Sequence, residues 1–192
     1  MKALTKKEIF SLPNCITIFR IVGTACMVFT DPLKEAFYTI YTLCGISDVL
    51  DGWIARRRNQ TSELGSKLDS IADLTYYFVM ALMILPELIR ILPAAIWYAV
   101  IAIVGLRVAS YLLVAFKFHR FASTHTYGNK LTGVGVFGIP YFIATEYGVV
   151  YCVIACTVAA LASMEEFIIH LFMKSYDKKP KTLSQLMRLQ NG

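Results

Sequence analysis

Between Asp48 and Asp73 the chain sets four carboxylates, two glycines and an arginine at fixed intervals. The run reads Asp48-Val-Leu-Asp51-Gly52-Trp-Ile-Ala55-Arg56, then eight residues, then Gly65-Ser-Lys-Leu-Asp69-Ser-Ile-Ala-Asp73. Acids spaced by three and four residues share one helix face. Eight carboxylate oxygens with no His or Cys among them suit a hard cation, Mg2+ or Mn2+ rather than zinc, and shared acids can bridge two such ions. Four neighbouring anions repel one another, so protonation or bound cations must relieve them. Metal is the stronger reading because the remaining residues complete a phosphate site. Arg56 offers a planar fork to phosphate oxygens. Gly52 removes a side chain where a ligand or a second backbone must come close, Ala55 keeps the same stripe small, and Gly65 does likewise at the mouth of the next helix.

The elements that must position these acids are membrane helices. Of 192 residues 57% are hydrophobic and 17% charged, and the mean hydropathy is positive, which favours the membrane class. An Asp at the centre of a membrane helix costs about 2.5–3.5 kcal/mol on the insertion scale, so four of them imply function. Six apolar segments can be marked, at 14–30, 36–56, 67–85, 93–116, 130–146 and 148–172. Most approach the ~20 residues that a ~30 Å hydrocarbon layer requires; the first and fifth are short. The expected fold is all-α: a polytopic bundle of six transmembrane helices forming one domain over residues 1–192. If the second and third spans turn near residue 61, a rise of 1.5 Å per residue carries all four acids to similar depths, about 10–20 Å from the turn. The two pairs can then face each other.

Net charge is +6, but the bases cluster between apolar spans and at the ends, so they read as contacts to anionic lipid and phosphate and not to nucleic acid. Lys2, Lys6, Lys7, Arg56, Arg57, Arg58, Lys67, Lys117, Arg120, Lys130 and the basic tail from Lys174 fall on one side, against Lys34 and Arg90 on the other. The positive-inside rule places both termini and the acid motif in the cytoplasm of a multi-pass cell-membrane protein. No small-residue cleavage site follows the first lysines, so the first apolar run reads as a span and not a signal peptide. Thr5 to Leu12 has the mixed pattern of a short interfacial helix, and the tail carries Leu183, Leu186, Met187 and Leu189 at near-helical spacing. Pro32 marks the first external turn, and Pro86 and Pro93 bracket the third. The five cysteines read as small buried hydrophobes. Gly133-Val-Gly135-Val-Phe-Gly138 spells a dinucleotide fingerprint but lies inside a span, where small residues serve close helix packing. Asn59-Gln60-Thr61, a glycosylation sequon, falls on the cytoplasmic side. His119, His125 and His170 show no ligand spacing.

The acid run resembles the signature of the CDP-alcohol phosphatidyltransferase family, D-x-x-D-G-x-x-A-R-x8-G-x-x-x-D-x-x-x-D, at Asp48, Asp51, Gly52, Ala55, Arg56, Gly65, Asp69 and Asp73. The resemblance implies transfer of a substituted phosphate from a CDP-linked donor, usually CDP-diacylglycerol, to a small phosphorylated or polar alcohol with release of CMP. It further implies that Asp48, Asp51, Asp69 and Asp73 hold two divalent ions, that Asp73 is also the general base, and that the protein is a homodimer in the bilayer. Gly52, Ala55, Arg56 and Gly65 would line the CDP donor.

Leu12-Pro13-Asn14-Cys15-Ile16-Thr17-Ile18-Phe19-Arg20 is similar to the opening of bacterial phosphatidylglycerophosphate synthases, which implies sn-glycerol 3-phosphate as acceptor. Asn14, Thr17 and Arg20 share a helical face; Asn14 and Thr17 are expected at the donor and Arg20 at the acceptor. Where those synthases show R-E and G-K-x-K-T, this chain has Arg107-Val108 and Gly128-Asn129-Lys130-Leu131-Thr132. Arg107 and Lys130 remain the candidates to hold an acceptor phosphate, since a deep arginine demands an anionic partner. Glu165 and Glu166 can pair with these bases. Inositol phosphate or serine are the alternative acceptors. A divalent-cation transporter is the reading from another class; it would need acids at the midplane but no Gly52, Ala55 or Arg56. An intramembrane prenyltransferase would need a second aspartate-rich motif, and the later spans carry no Asp.

Overall fold

The structure, a computed structural model, describes residues 12–58, 63–118, 126–173 and 182–191. Seven helices are present among them: α1 (Leu12–Met27), α2 (Glu35–Arg57), α3 (Glu63–Ile91), α4 (Ala94–Phe118), α5 (Tyr127–Ile143), α6 (Gly148–Phe172) and α7 (Leu183–Asn191). With no strand among the described residues, this is an all-α membrane protein. By length and composition 65–91, 94–118 and 148–172 can each cross a bilayer, and α1 is a shorter apolar helix. The expected interfacial helix at 5–12 lies almost wholly outside the described residues.

Helices occur where the six apolar segments are expected, but their ends move for local reasons. Pro86 does not end the third segment: it sits inside α3, which runs on to Ile91. Proline removes one backbone donor, a cost that a long helix can absorb across a single turn. The turn after α3 is therefore confined to residues 92–93, where the Ile96 N–H bonds the Pro93 carbonyl at 3.0 Å. The fifth helix starts at Tyr127 because the Thr126 side chain accepts from the Asn129 N–H, an N-cap, and it stops at Ile143. The first ends at Met27, whose carbonyl takes both the N–H and the hydroxyl of Thr30.

The chain divides into two compact units, Met1–Ile89 and Arg90–Gly192. In the first, α1 packs along α2. Gly23 permits the close approach, because a Cβ there would lie 2.8 Å from Cys44 Sγ. Phe37, Tyr41 and Tyr76 stack in sequence, and the Tyr76 hydroxyl donates to the Tyr41 carbonyl at 3.0 Å, tying α3 to α2. In the second unit α6 packs against α4, α5 and α7. Leu186 of α7 is buried with Val114, Ile169 and Met173, while Met187 stays exposed. The tail is thus a helix with one face in the core. Of the three fingerprint glycines, Gly135 faces Ala155 and Gly138 lies against Tyr151, but Gly133 has no neighbour where a Cβ would stand.

Candidate metal and phosphate site

Arg20 organises the first unit's polar centre. Its side chain is fully buried, and its guanidinium contacts all four aspartates of the motif. Nη1 reaches Asp48 on α2 at 3.0 Å and also Asp73 on α3. Nη2 contacts Asp51 on α2 and lies 3.2 Å from Asp69 on α3. Each terminal nitrogen therefore bridges the two helices, and the two acid pairs do face one another. Four carboxylates against one guanidinium leave three formal negative charges in the cluster.

Burial separates the acids. The Asp51 side chain is only 4% exposed, whereas Asp48, Asp69 and Asp73 remain 39–42% exposed. Thr17 donates to Asp51 at 2.9 Å as well as to the Pro13 carbonyl of its own helix. Asn14, Thr17, Arg20 and Thr24 are all buried along one face of α1. Carboxylate oxygens of Asp48, Asp51 and Asp69 lie within 4.8 Å of one another. Opposite ligands of an octahedral Mg2+ stand about 4.2 Å apart, at ~2.1 Å from the ion. An all-oxygen set of this size fits a hard divalent cation. Gly52 and Ala55 follow Asp51 on α2 and Gly65 opens α3 near Asp69. The side chain of Arg56 lies outside the described residues.

Of the three expected acceptor residues, Arg107 and Lys130 belong to the second unit and Arg20 to the first. Arg107 Nη2 on α4 donates to Asn129 Oδ1 on α5 at 3.1 Å, and Asn129 Nδ2 donates to Glu166 Oε2 on α6 at 3.0 Å. Glu166 is completely buried. Its connection to Arg107 thus runs through an amide, a link that sequence reasoning misses because Asn129 stands out there only as a departure from a motif. Glu165 does something else: its Oε1 accepts the Leu183 N–H at 3.1 Å and anchors the start of α7. Lys130 is exposed, with Nζ 5.8 Å from the Tyr127 ring centre. One turn along from Arg107 and Glu166, Ser110 and His170 Nδ1 share a 2.7 Å hydrogen bond in the interior. Lys117 then donates to the terminal carbonyls of α6 at Leu171, 2.8 Å, and His170, 3.5 Å.

Residues 10–164 match the family described as CDP-alcohol phosphatidyltransferase. The chain belongs to that family. The match takes in every aspartate of the cluster, Arg20, Arg107 and Asn129. Curated relatives named CDP-diacylglycerol–glycerol-3-phosphate 3-phosphatidyltransferase come from Blochmanniella floridana, 35% identical over 41% of this chain and 44% of the relative, and from Wigglesworthia glossinidia brevipalpis, 41% identical over 33% and 37%. A CMP-forming cardiolipin synthase of Streptomyces coelicolor is 34% identical over 36% of each chain. The chain spans less than half the length of these relatives. No solved structure matches it.

Proposed function

We propose that this protein is a membrane phosphatidyltransferase that moves a phosphatidyl group from CDP-diacylglycerol to the hydroxyl of an alcohol and releases CMP, with sn-glycerol 3-phosphate as the leading acceptor. The observation that carries the reading is the convergence of Asp48, Asp51, Asp69 and Asp73 from two helices onto one buried guanidinium. Membership of the family and the names of the matched relatives support the same donor and acceptor.

Asp48, Asp51, Asp69 and Asp73 would hold two ions, Mg2+ or Mn2+. Bound there, the metals would neutralise the donor pyrophosphate and the charge that develops on the leaving CMP. Thr17 fixes Asp51 through its hydroxyl, and the buried face of α1 keeps water from that side of the cluster. Gly52, Ala55 and Gly65 leave room for the nucleotide, and Arg56, Asn14 and Thr17 are assigned to the donor. Asp73, more open than Asp51, is assigned as the base that takes the acceptor's hydroxyl proton. Arg107 and Lys130 are assigned the acceptor's anionic group. Arg20, expected at the acceptor from its sequence, is better placed as the counter-charge of the aspartates. We assign the helices α1 to α6 to six spans, with termini and acids toward the cytoplasm of the cell membrane, and a homodimer as the working form.

The test is product analysis of purified protein with Mg2+ or Mn2+, CDP-diacylglycerol and a panel of sn-glycerol 3-phosphate, serine and inositol 1-phosphate, with cardiolipin scored among the products. Metal-dependent CMP release with glycerol 3-phosphate is expected. CMP release with none of them, or release without a divalent ion, would overturn the assignment.

A further inference from the structure

The chain of contacts Arg107–Asn129–Glu166 takes no part in holding the aspartates, and two of its members have no role in the chemistry above. We propose that Asn129 and Glu166 are positioning residues that aim the Arg107 guanidinium at the anionic group of the acceptor; this rests on the acceptor role assigned to Arg107. An asparagine amide has a donor end and an acceptor end. Here Oδ1 takes a proton from Arg107 Nη2 and Nδ2 gives one to Glu166 Oε2, so the amide points one way only. Glu166 is fully buried, and a buried carboxylate is tolerated only when hydrogen-bonded. It therefore fixes the amide, and it polarises the amide oxygen toward the cation beyond.

The intervening amide fixes the direction in which the guanidinium is held. The relay uses one N–H of Arg107, out of the five a guanidinium carries. Backbone packing supports the arrangement: a Cβ on Gly128 would lie 2.9 Å from Ala162 Cβ and 3.2 Å from its Cα, so glycine lets the start of α5 close onto α6 and brings Asn129 to Glu166. Thr126, buried, caps the same turn through the Asn129 N–H at 3.1 Å. Ser110 and His170 form the next polar layer of α4 and α6 and hold those helices in register.

The test reverses the amide. In Asn129→Asp the donor to Glu166 is gone and two carboxylates oppose each other. In Asn129→Asp with Glu166→Gln, the glutamine amide can donate to the carboxylate introduced on α5, whose other oxygen still accepts from Arg107. The expected result for Asn129→Asp is an acceptor KM raised at least about tenfold with donor KM within about twofold, and recovery of the acceptor KM in the double variant. An unchanged acceptor KM, a parallel rise in both KM values, or no recovery would overturn the proposal. Arg107→Ala separates the two readings: if it raises acceptor KM while Asn129→Asp does not, the relay fails and the acceptor assignment stands. If wild-type protein releases no CMP, the functional reading fails. The relay is then read by NMR of the 15N-labelled Arg107 guanidinium, whose hindered rotation is expected in the wild type, lost in Asn129→Asp and regained in the double variant. Free rotation in the wild type overturns it.

Discussion

Asp73 and Asp51, two acids of one motif, stand in different surroundings. Both contact Arg20, but Asp51 is nearly sealed and takes a second hydrogen bond from Thr17, while Asp73 is far more open. Asp73→Asn keeps the size of the side chain and removes the carboxylate proposed as the base. It is expected to lower kcat by about 10²–10⁴-fold while CDP-diacylglycerol binding, measured by equilibrium dialysis, changes little; near-normal kcat would exclude Asp73 as base. The quartet was legible in the sequence because carboxylates in apolar sequence are expensive and their three- and four-residue spacing fixes a face. Arg20's place among them was not. Its three-residue rhythm with Asn14 and Thr17 identifies a face of α1, but nothing local says that this face meets acids 28 to 53 residues further on. The Asn129–Glu166 bond, 37 residues apart, was hidden for the same reason.

Helices position these groups through a few close crossings. Gly128 lies against both the side chain and the backbone of Ala162 on α6, and Gly128→Val must push α5 away from it. A loss of about 1–3 kcal/mol is expected from such overpacking, read as a lower midpoint in thermal unfolding in detergent, together with a raised acceptor KM. In the first unit, Tyr76→Phe removes the hydroxyl that bonds the Tyr41 carbonyl but keeps the ring stack. The expected cost is about 1 kcal/mol, plus any penalty for the orphaned carbonyl; an unchanged midpoint would mean that stacking alone ties α3 to α2. The approximate places of the helices from α1 to α6 were readable from hydrophobic runs, since apolar length is a direct requirement of the bilayer. Helix ends were less so. Pro86 reads as a stop in isolation, yet α3 carries it, and Thr126 starts α5 by a side-chain cap that hydropathy does not register.

At the scale of the whole molecule, the proposed topology puts the acids and both ends of the chain on one side. Reporter fusions at the C-terminus are expected to signal a cytoplasmic location, and a signal from the opposite side of the membrane would refute the orientation drawn from the basic residues. Chelation with EDTA should abolish CMP release, and Mg2+ or Mn2+ should restore it; residual turnover in chelator would show that the aspartates work without metal. The four-way grip of Arg20 also bears on how the protein is made. Residue 20 precedes every acid it contacts, so during synthesis the cation is already in the chain when Asp48, Asp51, Asp69 and Asp73 leave the ribosome. Carboxylates that must enter lipid thus meet a resident partner before any ion is recruited, which lowers the cost of their passage. Arg20→Gln is expected to reduce the fraction of newly made chain that reaches the membrane intact, measured by pulse labelling, and neutralising Asp51 in the same chain should recover part of it.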